Sequence, residues 1–85
     1  MTDESREHLE DLSNELAAAA DEGHEEAADL HDDVNDFMAI SDPTGGQHEA
    51  MRVQLSDAML HFEVSHPSLT AAMQRVIDSL SASGI

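Results

Sequence analysis

The middle of the chain reads Ser41-Asp42-Pro43-Thr44-Gly45-Gly46-Gln47, and this stretch decides the fold. An Asp-Pro pair followed by two glycines is a strong turn signal, because Pro restricts the residue before it and Gly tolerates bends. The stretch predicts a loop over residues 41–47. It divides the chain into two halves of nearly equal length, each long enough for a helical hairpin.

The first half carries two amphipathic patterns, which predict helices over 3–20 and 24–40. Apolar residues recur every three or four positions: Leu9, Leu12, Leu16 and Ala19 in the first pattern, and Ala27, Leu30, Val34, Phe37 and Met38 in the second. Gly23 is expected to end the first helix, because glycine is common just past a helix C-terminus. A single helix from 3 to 40, with Gly23 as a weak point inside it, is the alternative.

The second half predicts helices over 48–64 and 67–82 by the same periodicity. Pro67 separates them, since proline lacks an N–H and is tolerated in the first turn of a helix. No segment alternates apolar and polar residues, so no strand is expected. The sequence therefore predicts one all-α domain over 1–85, a small bundle of three to four helices arranged as two hairpins around a central Gly-rich loop.

The charge balance excludes several classes of function. The 85 residues include 19 Asp or Glu, three Arg and no Lys, for a formal net charge of -16. Direct binding to nucleic acid needs a basic patch, and so does docking on anionic lipid. The acidic N-terminus is unlike a signal peptide, and no stretch approaches the roughly 20 apolar residues of a membrane span. We expect a cytoplasmic protein without contact to membrane or nucleic acid.

Two explanations of the acidity remain open. Absence of Lys beside abundant Asp, Glu and Ala resembles a haloarchaeal proteome, in which molar salt screens the self-repulsion of an acidic protein. The alternative is a functional acidic face that mimics nucleic acid or sequesters a basic protein. Its candidate residues are Glu22, Glu25, Asp29, Asp32, Asp33 and Asp36.

Two segments, one near each end of the chain, resemble a known protein family. The string Phe62-Glu63-x-Ser65-His66-Pro67-x-Leu69-Thr70-Ala71-Ala72, then Ile77-Asp78-x-Leu80 and a C-terminal Gly84-Ile85, resembles the domain of unknown function family 4404. The string Arg6-Glu7-x-Leu9-x-x-Leu12-x-x-Glu15-Leu16, within the first predicted helix, is similar to that family's first helix. The resemblance implies a short, all-helical protein and implies no activity, cofactor or catalytic residue.

Six histidines in 85 residues are the one sharp chemical signal. Surface positions beside carboxylates are expected for His8, His24, His31 and His48, and His66 is expected to cap a helix or join two helices. Glu63 and His66 have the three-residue spacing of Glu-x-x-His metal helices, but Pro67 interrupts that helix. We expect no cofactor; a metal-binding bundle is a further alternative, with His24, His31, His61, Glu63 and His66 as its candidate ligands.

No nucleophile, phosphate loop or calcium loop motif is present, so an enzyme is not expected. The long apolar stripes of so small a chain instead predict self-association, most simply a symmetric dimer. The predicted interface comprises Met51, Leu55, Met59, Phe62, Leu69, Met73, Val76 and Leu80. The predicted function is a non-enzymatic interaction or oligomerisation module that is adapted to high salt, with an unidentified protein as a possible further partner.

Overall fold

The computed structural model describes residues 3–82, which form four α-helices joined by short turns. These are α1 (Asp3–Asp21), α2 (Glu25–Ala39), α3 (Gly45–Phe62) and α4 (Pro67–Ala82). No strand occurs within residues 3–82, so the predicted all-α bundle is confirmed and has four helices. Gly84 and Ile85, which contribute to the family resemblance, lie outside the described residues.

The turn between α1 and α2 is built around Gly23, which has φ +101°. The Gly23 N–H donates to Ala20 O at 3.0 Å and the His24 N–H donates to Ala19 O at 3.2 Å. These two bonds form a Schellman motif, which satisfies the last carbonyls of a helix when the residue after the C-cap has positive φ. The chain therefore reverses direction here, and the alternative of one helix from 3 to 40 does not occur.

The start of α3 differs from the sequence prediction. The helix begins at Gly45 rather than at residue 48, so the loop is shorter than the predicted 41–47. Thr44 forms a capping box with Gln47: the Gln47 N–H donates to Thr44 Oγ1 at 3.1 Å, and the Thr44 N–H donates to Gln47 Oε1 at 2.8 Å. This cap satisfies two backbone donors, which outweighs the low helix propensity of the two glycines that follow.

Helix α1 is the centre of the bundle. It packs along α2 on one side and along α4 on the other, α3 packs against α4, and α2 touches α3 only over a short stretch. The core is made almost entirely of aliphatic side chains: Leu9, Leu12, Leu16 and Ala19 from α1, Ala27, Leu30, Val34 and Phe37 from α2, Met51, Leu55 and Phe62 from α3, and Leu69, Ala72, Met73, Val76 and Leu80 from α4.

Two serine contacts add polar links between the packed helices. Ser13 Oγ donates to Asn35 Oδ1 at 2.9 Å and joins α1 to α2. Ser5 Oγ lies 2.8 Å from Ser79 Oγ, which joins the first turn of α1 to the end of α4. The latter contact also fixes α1 and α4 as antiparallel neighbours, so the two interhelical turns 22–24 and 63–66 lie at the same end of the bundle.

Gly23→Ala should lower the free energy of unfolding by about 1–2 kcal/mol, because an L side chain is strained at positive φ. No atom lies within 4 Å of the added Cβ, so the loss would come from the backbone alone. Gly45→Ala is the matched control, since its Cβ also meets nothing within 4 Å and its backbone is helical. Chemical denaturation of both variants at one salt and protein concentration measures the difference; equal stabilities would contradict the role given to Gly23.

Thr44→Ala should cost about 1 kcal/mol of stability, the usual loss when a hydroxyl N-cap is removed. Thr44→Ser keeps the Oγ acceptor for the Gln47 N–H and serves as the control. Thermal unfolding followed by circular dichroism compares the two variants with the wild type. A Thr44→Ser protein as unstable as Thr44→Ala would show that the cap is not what holds the start of α3.

Candidate functional site

Three potential metal ligands meet where the two interhelical turns lie side by side. Glu22 and His24 flank Gly23 in the first turn, and His66 ends the second. His66 Nε2 is 3.0 Å from Glu22 Oε1, and the rings of His24 and His66 are 5.6 Å apart at an interplanar angle of 74°. One ligand atom from each of the three residues lies within 4.8 Å of the other two.

The backbone on both sides of His66 is fixed by hydrogen bonds. Its N–H donates to Phe62 O at 2.8 Å, and its carbonyl accepts the Thr70 N–H at 3.1 Å as the first bond of α4. Pro67, which has no N–H to satisfy, occupies the first helical position. His66 is therefore both the residue that starts α4 and the residue whose ring joins α4 to the α1–α2 turn.

We call Glu22, His24 and His66 the histidine cluster. Phe62 lies beneath it. It is 1% exposed, and the rings of His24 and His61 meet it edge-on, with centroid distances of 6.1 and 5.1 Å. Phe62 and His66 of the family-like string both contact His24, because the turn between α3 and α4 brings these two residues onto the same side. The cluster rests directly on the hydrophobic core.

The other proposed metal ligands lie elsewhere. His61 Nε2 is 3.4 Å from Glu26 Oε1 in an exposed pair, and Glu63 is an exposed residue at the C-cap of α3. His31 lies beside Asn35 on α2, with a ring nitrogen 3.2 Å from Asn35 Nδ2. The structure brings together His24 and His66 from the predicted set and adds Glu22, which the sequence indicated only as part of the acidic face.

The sequence predicted a surface position for His48, but the side chain is buried. It is 6% exposed, its ring centroid lies 5.6 Å from that of Phe37, and neither ring nitrogen has a hydrogen-bond partner within the described residues. The reason is its register, because His48 precedes Met51 by three residues and Leu55 by seven and so lies on the same stripe. The other three histidines expected at the surface, His8, His24 and His31, are half-buried. His8, which is 3.7 Å from Glu4, stands beside a carboxylate as expected.

The residues predicted to form an interface serve instead as the core of a single chain. Met59 is half-buried, and the other seven are buried between the helices of one bundle: Met51, Leu55, Phe62, Leu69, Met73, Val76 and Leu80. The α3–α4 hairpin closes on itself and on α1, so these side chains are used within the chain. Any contact between folded copies would have to be formed by other residues.

Helix α3 has a second apolar surface that faces outward. Val53 is 51% exposed, Leu60 is 75% exposed, and Val64 in the turn that follows is 90% exposed. Val53 and Leu60 are seven residues apart, so they lie on one side of the helix, opposite the buried Leu55 and Phe62. We call Val53, Leu60 and Val64 the α3 apolar stripe.

Charge is divided unequally between the two hairpins. The α1–α2 hairpin, residues 3–39, holds 14 of the 19 carboxylates and one of the three arginines. The α3–α4 hairpin, residues 45–82, holds four carboxylates and two arginines. All six residues of the acidic face are exposed. Successive residues of an α-helix are rotated by about 100° around its axis, and on that basis the five acidic-face residues on α2 lie within one arc of about 100°.

A groove of about 260 Å³ marks the edge at which α2 and α3 barely touch. Phe37, Ile40 and Met51 line its apolar floor, and Asp33 and Asp36 lie along its rim. Gln54 Nε2 donates a hydrogen bond to Asp33 Oδ2 across the groove. The short contact between α2 and α3 is therefore partly polar.

Comparisons with known proteins place the chain in a family. No curated protein and no solved structure matches it significantly. Within residues 3–82, none of the helices has the length and apolar character that crossing a membrane requires. A family model described as "Domain of unknown function (DUF4404)" matches residues 2–85, nearly the whole sequence, and the chain belongs to this family.

Proposed function

We propose that this chain is a non-enzymatic, cytoplasmic helical module that associates with a second copy of itself through the α3 apolar stripe and is adapted to high salt. The exposure of Val53, Leu60 and Val64 carries the proposal. Two large aliphatic side chains on one side of α3 and a third in the turn after it lose contact with water when a partner covers them. This burial favours association by roughly 25 cal/mol per Å² of apolar surface.

The distribution of charge supports a second copy as the partner. Two copies that meet through α3 keep their α1–α2 hairpins, with most of the carboxylates, away from each other. Helix α3 itself carries only two acids: Glu49, which forms an ion pair with Arg52, and the exposed Asp57, which lies between Val53 and Leu60 on the same side of the helix. A contact through α1 or α2 would place many more carboxylates opposite one another, which is more unfavourable.

Screening of charge by salt also favours this assembly. Each copy carries a net charge of -16, so two copies repel each other in dilute buffer. The Debye length falls from about 10 Å at 0.1 M to about 3 Å at 1 M salt, and the repulsion between copies falls with it. The dimer is therefore expected to strengthen as salt concentration rises.

Leu60→Glu should dissociate the dimer in molar KCl, weakening self-association by about 2 kcal/mol or more because it places an unpaired carboxylate in the contact. Leu60 is 75% exposed, so the folded monomer loses little by the substitution. Sedimentation equilibrium measures the mass of the particle, and circular dichroism verifies that the helices persist.

Ala28→Glu is the matched control, because it adds the same charge at an exposed position of α2, away from the stripe. This variant should sediment as the wild type does. A wild-type monomer in molar KCl, or loss of the dimer in both variants alike, would rule out the α3 apolar stripe as the interface.

A second candidate function is binding of a basic protein by the acidic face. It is favoured by the confinement of Glu25, Asp29, Asp32, Asp33 and Asp36 to one exposed side of α2. Acid that serves salt tolerance alone would be spread over all four helices, whereas α4 contains only one carboxylate, Asp78. A dense negative surface raises the local concentration of cationic ligands and speeds their association.

Neutralising Asp29, Asp32 and Asp36 to Asn should weaken binding of a lysine-rich peptide more than neutralising Glu7, Glu10 and Asp11 to their amides. Both triple variants lose the same net charge from exposed positions, the first from the acidic face and the second from α1. Fluorescence titration at moderate salt should give at least about a fivefold difference in Kd, equivalent to about 1 kcal/mol. Equal losses would mean that net charge alone attracts the peptide.

A further inference from the structure

We infer that Glu22, His24 and His66 form a binding site for one divalent transition-metal ion, with Zn²⁺ as the best fit. Two imidazole nitrogens and one carboxylate oxygen are a ligand set that suits zinc, and a fourth position would remain for water. The three residues come from two separate turns, so the bound ion would join the α1–α2 turn to the start of α4.

The separation of the ligand atoms is close to what a tetrahedral ion requires. Zinc bonds of about 2.0–2.1 Å put neighbouring ligand atoms about 3.3 Å apart. His66 Nε2 and Glu22 Oε1 are already 3.0 Å apart, and one ligand atom from each of the three residues lies within 4.8 Å of the other two. A closure of at most about 1.5 Å, which small side-chain rotations can supply, would complete the set.

Two of the three residues are held in position by the fold. The Schellman motif at Gly23 sets the direction in which His24 leaves the turn, and hydrogen bonds on both sides of His66 fix its backbone. Both rings are half-buried, and His24 packs edge-on against Phe62. The backbones of both histidines are therefore already in place when an ion binds, and this preorganisation favours affinity.

The kind of ligand separates this site from the acidic surface around it. Carboxylates alone favour Mg²⁺ and Ca²⁺, whereas imidazole favours zinc and its transition-metal neighbours. Asp21, Glu25 and Glu26 flank the site in sequence and add negative potential without adding a nitrogen ligand. The cluster is therefore expected to select zinc in the presence of excess Mg²⁺, while the exposed acids elsewhere hold hydrated cations loosely.

The consequence of binding would be a cross-link in a chain that has no cysteine and so no disulfide. Domains of this size often depend on a metal or a partner for part of their stability. Because the ion binds the folded arrangement of two turns, its binding free energy adds to the free energy of unfolding.

The test is a zinc titration of untagged, metal-free protein by calorimetry in molar KCl with excess Mg²⁺, together with thermal unfolding and the visible spectrum of the Co²⁺ form. The wild type should bind one Zn²⁺ per chain, melt at a higher temperature with zinc, and give the intense absorption of tetrahedral Co²⁺. His24→Gln and Glu22→Gln should each weaken zinc binding by about tenfold or more, and His24→Gln should abolish the shift in melting temperature.

His8→Gln is the matched control, since His8 lies 3.7 Å from Glu4 and belongs to no three-ligand group within residues 3–82. It should bind zinc as the wild type does. Leu60→Glu should also keep the zinc affinity, which separates this inference from the proposed dimer. Failure of the wild type to bind one zinc ion in the presence of Mg²⁺, or equal affinities in His24→Gln and His8→Gln, would overturn the site.

Discussion

The burial of one stripe of α1 is the interaction on which the rest of this structure depends. Leu9, Leu12, Leu16 and Ala19 are all 0% exposed, because α2 covers them from one side and α4 from the other. No Trp or Tyr and only two Phe are available to fill a core, so the bundle relies on aliphatic side chains spaced at helical intervals. Such a stripe can be buried only if the chain reverses after α1 and if α4 returns alongside it, which is why the turns at Gly23 and Pro67 matter so much.

The place of α3 follows from that arrangement. It packs closely against α4 only, touches α2 over a short stretch, and does not reach α1. A helix at the edge of a bundle has one covered side, and a polar outer side would be the usual outcome. Val53 and Leu60 on its outer side and Val64 just beyond it depart from that rule, and large exposed apolar groups that cluster on a surface mark interaction sites more often than isolated ones do. The proposed self-association gives this departure a physical cause.

Much of the fold could be predicted from the sequence because the turn signals are local. Gly23, Pro43 and Pro67 act through their own backbone geometry, so the order of the helices, and their number to within three or four, follow without knowledge of the packing. The start of α3 was harder to predict from the sequence. The stabilisation from the Thr44–Gln47 capping box has to outweigh the low helix propensity of two glycines, and the free energies of both effects are small. His48 shows a different limit. Its residue type predicted a surface position, whereas its spacing from Met51 and Leu55 placed it on the apolar stripe, and in the structure the spacing decides that it is buried.

The histidine cluster shows why a site can be harder to predict than a fold. Glu22 and His66 are 44 residues apart, and their contact depends on the antiparallel order that places the two turns at one end. Spacing along the chain could only suggest pairs on the same helix, such as Glu63 with His66, but these two residues lie in the turn between α3 and α4 and share no helix. In the same way the sequence assigned the widest apolar faces to an interface, since it could not distinguish a side chain covered by α1 from one left exposed on α3.

The unequal division of charge connects the core, the stripe and the cluster. Helices α1 and α2, which pack closely on each other, are also the helices whose outer sides carry most of the acid. Their mutual repulsion therefore has to be offset by the apolar contact between them and by salt. The α3–α4 hairpin, with little charge of its own, contributes the exposed apolar stripe and the half-buried His66. A protein that needed acid only to remain soluble at high salt would gain by placing it on α3 as well, where it would cover Val53 and Leu60. The scarcity of acid on α3 is consistent with the proposed contact through the α3 apolar stripe, and the concentration of acid on α1 and α2 disfavours contact between two copies at that hairpin.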